Sequence, residues 1–310
     1  MPSTWLVPDG LDGERLDVAA ARMTGLSRNR IEALIVAQAV SLNSGVVLKS
    51  ARVYAGDLLE VELSEASNTV EVVPAQVEGI EIIYDDADIV VVDKPAGIAA
   101  HPSLGWEGGS VVEHLAGAGF RISTSGAVER QGIVQRLDVG TSGLMVVAKS
   151  EIAYSTLKRA FKSRAVEKNY QTLVQGHPDP FAGSIDAPIG RKKGAEYKMA
   201  VVAGGRHAVT HYETLEAFRS TTWLQIELET GRTHQIRVHM QAIKHPVVGD
   251  PVYGSDPVLS AKLGLDRQWL HATRLAFMHP TRNEAVEFHS QLPADLNAAL
   301  EIVRGSAFTR

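Results

Sequence analysis

Cysteine is absent from all 310 residues. That excludes disulfides, cysteine-ligated zinc and thiol nucleophiles, and it agrees with a reducing, cytoplasmic setting. No stretch approaches eighteen consecutive apolar residues, so no membrane-spanning helix is expected. The opening MPSTWLVPDGLDGER lacks a basic start followed by an apolar run, so a secretory signal is not expected either. Positive charge is not in excess: 31 Lys and Arg against 36 Asp and Glu leave a net charge of −5. This argues against non-specific coating of nucleic acid but leaves room for a local basic cleft. Several familiar sites are missing as well. There is no G-x-x-x-x-G-K-[ST] phosphate loop, and Gly117-Ala118-Gly119 lacks the third glycine and the preceding strand of a dinucleotide site. In Gly140-Thr141-Ser142-Gly143 the second glycine arrives one residue too early for a nucleophile elbow. His207 and His211 stand four apart in a strand-like stretch without H-E-x-x-H context, so no metal is expected.

What remains is ordinary for a globular chain, with 45% hydrophobic and 22% charged residues. The length suits one large domain, or a small one plus a medium one. LSRNRIEALI (26–35) predicts a helix capped by Ser27, with Ile31, Leu34 and Ile35 on one face. Strand-like pieces follow at VSLN, GVVL and AGDLLEVEL, and 66–79 reads as a linker. IEIIYDDADIVVVDKPAG predicts a hairpin whose second strand ends at Lys94-Pro95. EIAYSTLKRAFKSRA (151–165) predicts a helix with Tyr154, Leu157 and Phe161 on one face and Lys158, Arg159, Lys162 and Arg164 solvated. KNYQTLVQG, HAVTHYETLEAF and TWLQIELETG read as strands, and THQIRVHMQAI as a helix carrying Ile236, Met240 and Ile243. Strands and helices do not alternate strictly, which predicts an α+β fold with a mostly antiparallel sheet.

The stretch GIVQRLDVGTSGLMVVAKS (132–150) raises the sharpest question. Two β-rich apolar runs, Ile133–Val134 and Leu144–Ala148, flank a polar turn holding one carboxylate, Asp138. An aspartate there would serve well as a turn or helix cap. A functional carboxylate in a partly dry cleft would instead need a cationic partner to offset its desolvation. ETGRTHQIRVH offers two, Arg232 and Arg237, and spacing does not choose between them.

The same stretch resembles the signature of the RluA/RluD-type pseudouridine synthases, G-I-V-H-R-L-D-x-x-T-S-G-L-[LM]-V-V-A-K. Four further blocks resemble the family's in order: DKPAGIAAHP (93–102), EKNYQTLVQG (167–176), LETGRTHQIRVHMQAIKHPVVGDPVYG (228–254) and WLHATRLAFMHP (269–280). Residues 14–63 resemble the S4 RNA-binding domain that many such enzymes carry. The resemblance implies an α/β S4-like domain over 1–65, a linker over 66–79, and a catalytic domain with a central cleft over 80–310. It implies isomerisation of uridine in RNA: the C1′–N1 bond breaks and the sugar rejoins C5 of the same base, with no cofactor. One carboxylate then suffices as nucleophile, because the departing uracil is itself the group re-attached. A second acid positioning water would favour hydrolysis.

Carried over residue by residue, Asp138 is the expected nucleophile, Tyr170 the active-site tyrosine and Arg237 the partner of the aspartate. Arg136 is expected to enter the space left by a flipped nucleotide, since a stacked base cannot be reached otherwise. Leu270 is expected beneath the flipped base, and Lys94 and Arg232 as scaffold or phosphate contacts. His234, His239 and His245 read as structural or RNA-facing.

Gln135 departs from the family's histidine, which touches RNA contacts rather than chemistry. The first domain also departs. It holds LIVAQAV where lysine, glycine and arginine are usual near Val36, Gln38 and Ala39, and residues 1–65 carry six Lys/Arg against nine Asp/Glu. Its phosphate-binding face would be small: Arg28, Arg30, Lys49 and Arg52. By contrast, 158–168 hold five basic residues and one acid, and 191–198 hold four and one. The expected partner is RNA, foremost large-subunit ribosomal RNA or its precursor particle, and the chain is expected to act as a monomer. Two other readings stay open. One is a non-catalytic RNA-binding or assembly factor on the same fold, which Gln135 favours and the trio Asp138, Tyr170 and Arg237 opposes. The other is an N-glycosidic hydrolase, which free uracil would reveal.

Overall fold

The computed structural model describes residues 3–24, 28–48, 50–62, 72–103, 106–126, 130–192, 194–195 and 198–306; the side chains at 28–30, 33, 46 and 306 are not among those described. Ser27 and Lys49, and the side chains of Arg28 and Arg30, thus lie outside the described residues. The chain forms two compact units, Met1–Thr69 and Val70–Arg310.

The first unit comprises β1 (Ser3–Leu6), α1 (Leu16–Thr24), α2 (Arg28–Val36), β2 (Val40–Leu42), β3 (Gly45–Val46) and β4 (Leu58–Val61). Its sheet is antiparallel in the order β1-β4-β2-β3. Leu16, Ala19 and Ala20 of α1 and Ile31, Leu34 and Ile35 of α2 follow the i, i+3, i+4 rule and bury against Val40, Leu59 and Val61. Arg52 donates through Nη1 to the Gly13 carbonyl of the same unit.

The second unit begins with β5 (Glu81–Asp85), β6 (Ile89–Lys94), α3 (Val111–Gly117), β7 (Ser142–Ala148) and α4 (Glu151–Lys162). There follow β8 (Glu167–Gln175), β9 (Ala182–Asp186), β10 (Ile189–Arg191), β11 (Met199–Val201), β12 (Val209–Ala217) and β13 (Thr221–Leu228). It ends with α5 (Gln235–Ala242), α6 (Pro257–Lys262), β14 (Leu270–Met278), β15 (Ala285–His289) and α7 (Ala294–Ser306). Nine strands form one sheet, β5-β6-β7-β14-β8-β13-β12-β9, with β15 added beside β14. Among the described residues only the β7–β14 strand pair is parallel, so the fold is α+β with a mostly antiparallel sheet.

β6 and β7 are apolar without alternation because both of their faces are covered. Val91, Leu144 and Val146 pack with Ala153 and Leu157 of α4, while Val90, Val92, Met145 and Val147 pack with α3. Each fully buried side chain of this kind contributes about 1.5–3 kcal/mol over an exposed one. Serines cap both helices: Ser110 accepts from the Glu113 amide (3.3 Å) and Ser150 from the Ala153 amide (3.1 Å). Farther along the sheet, α5 covers Leu224, Ile226 and Leu270 with Ile236 and Met240, and α7 covers Leu173 on the opposite face. Gly143 lets β7 meet β14. Its φ is +113°, and a Cβ there would stand 2.3 Å from the Ala272 carbonyl oxygen.

One local expectation is corrected. Ile133–Val134 forms no strand; Ile133 makes one isolated bridge to Val147. β6 pairs with one edge of β7, β14 takes the other edge at Ser142 and Gly143 only, and farther along that edge the chain touches β7 at the Ile133–Val147 bridge and the Ala148 amide to Gly132 carbonyl bond (2.9 Å). The described part of the 66–79 segment carries no helix or strand, yet it is bound. The Ala75 amide donates to the Glu113 carbonyl (3.1 Å), and the Val77 amide to His114 Nδ1 (3.2 Å).

Candidate active site

Asp138 stands in the turn that feeds β7. The turn closes on itself through the Thr141 amide, which donates to the Asp138 carbonyl (3.0 Å), and it is held from below. The Gly97 amide donates to the Val139 carbonyl (2.9 Å). Lys94 Nζ donates to the carbonyls of Pro95 (2.9 Å), Ile98 (2.8 Å) and Val139 (3.3 Å). Lys94 is fully buried. Burial pulls its pKa down to about 7, and the Asp138 charge opposes that only in part. Of the two roles expected for Lys94, scaffold or phosphate contact, its position fits the scaffold: it ends a covered strand, points inward and supports the turn. Arg267 Nη1 donates to the Gly140 carbonyl (3.2 Å) and Gln268 Nε2 to Thr141 Oγ1 (3.1 Å), fixing the turn's other side.

The Asp138 carboxylate opens into a cavity of about 640 Å³. Tyr170 from β8, Leu270 from β14, Arg237 and His234 at the start of α5, Arg232, Arg136 and Gln135 share its wall. Among the described residues that line it, Asp138 is the one acid, against eight lysines and arginines that include Lys158 and Lys162 of the basic helix α4, Lys168 and Arg206. Such a wall attracts a polyanion.

Arg237, not Arg232, meets the carboxylate: its Nη1 donates to Asp138 Oδ2 at 3.1 Å. Its Nε and Nη2 grip Asp250 at 2.7 and 2.9 Å, a bidentate pair. Asp250 in turn accepts from the amides of Val252 (2.8 Å) and Tyr253 (3.1 Å). The guanidinium also lies over the Tyr253 ring, 4.9 Å from its centre. Burial draws the Arg237 pKa down, but the two carboxylates outweigh it and hold the group above its ordinary value. Arg232 instead donates Nε to the His207 carbonyl (2.9 Å). Burial, together with Arg206 and Arg164, lowers its pKa.

Tyr170 is buried in the wall, and burial, reinforced by the Asp138 charge, pushes its phenol pKa up. It stays neutral at any physiological pH and offers an aromatic face. Leu270 is also buried, while Arg136 is exposed at the rim with Nη2 on Thr233 Oγ1 (2.5 Å). Gln135 keeps its Nε2 buried without a protein partner. Of the other histidines, His239 bonds Thr210 Oγ1 (2.9 Å) and the Ala187 carbonyl (3.0 Å), and His245 bonds the Gln175 carbonyl (2.8 Å); both bind the framework. His234 has its Nδ1 2.7 Å from Tyr253 Oη and its Nε2 3.9 Å from Asp138 Oδ2. Burial lowers its pKa, with Arg237 and Arg136 adding to the effect against Asp138 and Asp250.

Asp250 and Tyr253 were not singled out from the sequence, and His234 was read as structural or RNA-facing without a choice between the two. The signal for the first two was present, since both stand in the GDPVYG end of a quoted block, but an Asp-Pro turn is a common loop feature. Among the described residues no group of three or more His, Asp or Glu stands ready to hold a metal ion, and no helix is long and apolar enough to cross a membrane.

Fold and site together define a cleft enzyme for a polyanionic substrate. Residues 88–242 match the family model of RNA pseudouridylate synthase, and the chain belongs to this family; it is an isomerase acting on RNA. It is 58% identical over 299 residues to an RNA pseudouridine synthase of Mycobacterium bovis, covering 96% of this chain and 97% of that one. It is 40% identical to the ribosomal large subunit pseudouridine synthase D of Nitrosomonas europaea, covering 96% of this chain and 87% of that protein. Among solved structures, human RNA pseudouridylate synthase domain containing 1 superposes with a TM-score of 0.58 at 28% identity, covering 76% of this chain and 98% of that one.

Proposed function

We propose that the enzyme isomerises uridine in large-subunit ribosomal RNA, with Asp138 as the nucleophile. One observation carries the reading. Asp138 is the lone acid among the described residues of a cavity otherwise rich in cations, and a guanidinium faces it at 3.1 Å. In the reaction, an Asp138 oxygen bonds to C1′ as the C1′–N1 bond breaks, and the electron pair leaves with the uracil. The base turns, C5 bonds to C1′ and the carboxylate departs with its electrons. The proton on C5 is then lost and N1 gains one, so no atom is left over. Arg237 balances the carboxylate before attack and after release, and Asp250 keeps Arg237 in place. The neutral Tyr170 stacks on the target base, Leu270 packs beneath it, and Arg136 enters the gap in the RNA helix. Arg232 and the basic side of α4 take backbone phosphates. Gln135, with its unpaired amide, makes an RNA contact in place of the family's histidine.

The ribosomal assignment is supported by relatives named large subunit pseudouridine synthase D at 37–40% identity over 94–96% of this chain. Residues 1–65 act as an S4-like RNA-binding domain that makes at most about one phosphate contact, drawn from among Arg28, Arg30, Lys49 and Arg52, and the enzyme works as a cytoplasmic monomer. The test has two arms. Asp138→Asn, nearly isosteric but unable to form the intermediate, should release no tritium from RNA labelled at C5 of uridine while still binding that RNA. Substantial turnover by this variant removes Asp138 as nucleophile, and free uracil among the wild-type products marks a hydrolase. In the second arm, pseudouridines are mapped in ribosomal RNA from cells with and without the protein. An unchanged map of the large subunit overturns the substrate.

A further inference from the structure

His234 lines the cavity, and none of the steps above uses it. It is the N-cap of α5, yet its side chain caps nothing, and its backbone is left-handed with φ 56° and ψ 24°. A residue with a Cβ is held in that region only when its surroundings insist, and such positions gather at functional sites.

Its neighbours determine where its proton lies. Tyr253 Oη accepts a hydrogen bond from the Met199 amide at 3.0 Å. The phenol's own proton is then available to His234 Nδ1, 2.7 Å away. A ring whose Nδ1 accepts carries its proton on Nε2 when neutral. That Nε2 faces Asp138 Oδ2 at 3.9 Å, beyond hydrogen-bond length, and Oδ2 already receives Arg237 Nη1 at 3.1 Å. The Nε2–H is thus an unspent donor beside the carboxylate, on a side chain 22% exposed.

Sugar stereochemistry says what lies there. In a β-ribonucleoside the base and the 2′-hydroxyl project from opposite faces of the ring. A carboxylate that displaces the base from C1′ enters on the face opposite the base, which is the face of the 2′-hydroxyl. A donor next to that carboxylate therefore meets the 2′-oxygen. Arg237 is unsuited to the task because its Nε and both terminal nitrogens are committed to Asp250 and Asp138. We propose that His234 Nε2–H donates to the ribose 2′-oxygen of the target nucleotide and makes the site select ribonucleotide over deoxyribonucleotide. The inference rests on the reading of Asp138 as the group that attacks C1′.

The test is equilibrium binding of an RNA that the enzyme modifies, carrying either uridine or 2′-deoxyuridine at the modified position. It is made with Asp138→Asn protein, so that no turnover intervenes. Removing the 2′-hydroxyl should weaken binding about ten-fold, the size of one neutral hydrogen bond. In Asp138→Asn/His234→Leu the two RNAs should bind alike. His234→Gln in the same background should restore part of the difference, because its amide nitrogen reaches toward the place of Nε2. An undiminished loss on deoxy substitution in the His234→Leu protein would overturn the contact. So would the absence of any restoring effect from His234→Gln, or no discrimination by Asp138→Asn alone. A second readout is independent of RNA: ¹⁵N resonances of the His234 ring in the wild-type protein should report a protonated Nε2, and a protonated Nδ1 overturns the proposal. Failure of the nucleophile assignment shows in tritium release, and failure of this contact in the binding ratio.

Discussion

Arg237 commits three nitrogens to two carboxylates, and one of those, Asp250, is fully buried at its side chain. Replacing Arg237 by Met leaves Asp250 as an uncompensated buried charge, which costs about 3–5 kcal/mol, and deprives Asp138 of its cation. Turnover should fall by orders of magnitude, and urea denaturation should show the loss of stability. Asp250→Asn should also lower turnover while leaving RNA affinity near wild type, because Asp250 acts on the cleft only through Arg237. Wild-type turnover in both variants would show that neither group positions Asp138. The sequence made part of this legible. Resemblance pointed to Arg237 where spacing left Arg232 equally eligible, and only the folded chain separates them, since Arg237 Nη1 reaches Asp138 while Arg232 Nε is bonded to the His207 carbonyl. Asp250 was not legible. It stands thirteen residues after Arg237 in a Gly-Asp-Pro turn, and nothing in that tripeptide distinguishes a buried counter-ion from a turn former. For His234 the sequence left a structural and an RNA-facing role open for a related reason, because its left-handed backbone and its bond to Tyr253 are set by the packing of α5.

At the level of elements, periodicity was a good guide where an element is long and has one clear face. α4, β8, β13 and α5 fall where alternation and helical spacing put them. It failed for β1, a four-residue strand with every other side chain exposed, and for α1, whose buried face is largely alanine. It also misread Ile133–Val134, where the apolar pair is buried by a turn instead of a strand. The strand that carries the Asp138 turn is secured by a polar chain no periodicity reveals. Ser142 Oγ donates to His271 Nδ1 (2.9 Å), and His271 Nε2 donates to Ser290 Oγ (2.9 Å), which donates to Asp93. His271 is satisfied only as a neutral ring. Burial, aided by the nearby Arg267 charge, holds its pKa down at about 4. Between that value and the ordinary 6.5 the unfolded chain takes up a proton that the folded chain refuses. The contribution is therefore complete above pH 6.5 and lost as the pH falls toward 4, a change of about 3 kcal/mol. Denaturation at about pH 7 and about pH 4.5 should show most of that difference in the wild type and much less in His271→Gln. Equal acid sensitivity in the two proteins would place the titration elsewhere.

For the molecule as a whole, charge is divided unevenly, and on the proposed reading this sets where RNA is held. Residues 1–65 carry six basic and nine acidic residues, so few phosphates are neutralised there. Of their basic groups, Arg15 is paired with Asp17 (2.9 Å) and Arg52 is bonded to the Gly13 carbonyl. The cleft is the opposite: Lys158 and Lys162 of α4 line it beside Lys168, Arg206 and Arg232. The structure also narrows the choice within the basic helix. Arg164 is drawn onto Glu229 (2.7 Å), and Arg159 does not line the cavity, so Lys158 and Lys162 are the pair placed to meet phosphate. Each phosphate neutralised contributes about 0.7 to 0.9 to the slope of log affinity against log salt. Lys158→Gln/Lys162→Gln should flatten that slope by about 1.5, and deletion of residues 1–65 by less than about 1. RNA affinity measured across a salt series for wild type, the double variant and the truncated protein decides the matter. If truncation flattens the slope more than the double substitution does, the first unit is the electrostatic anchor, and α4 is only a solvated face beside the cleft.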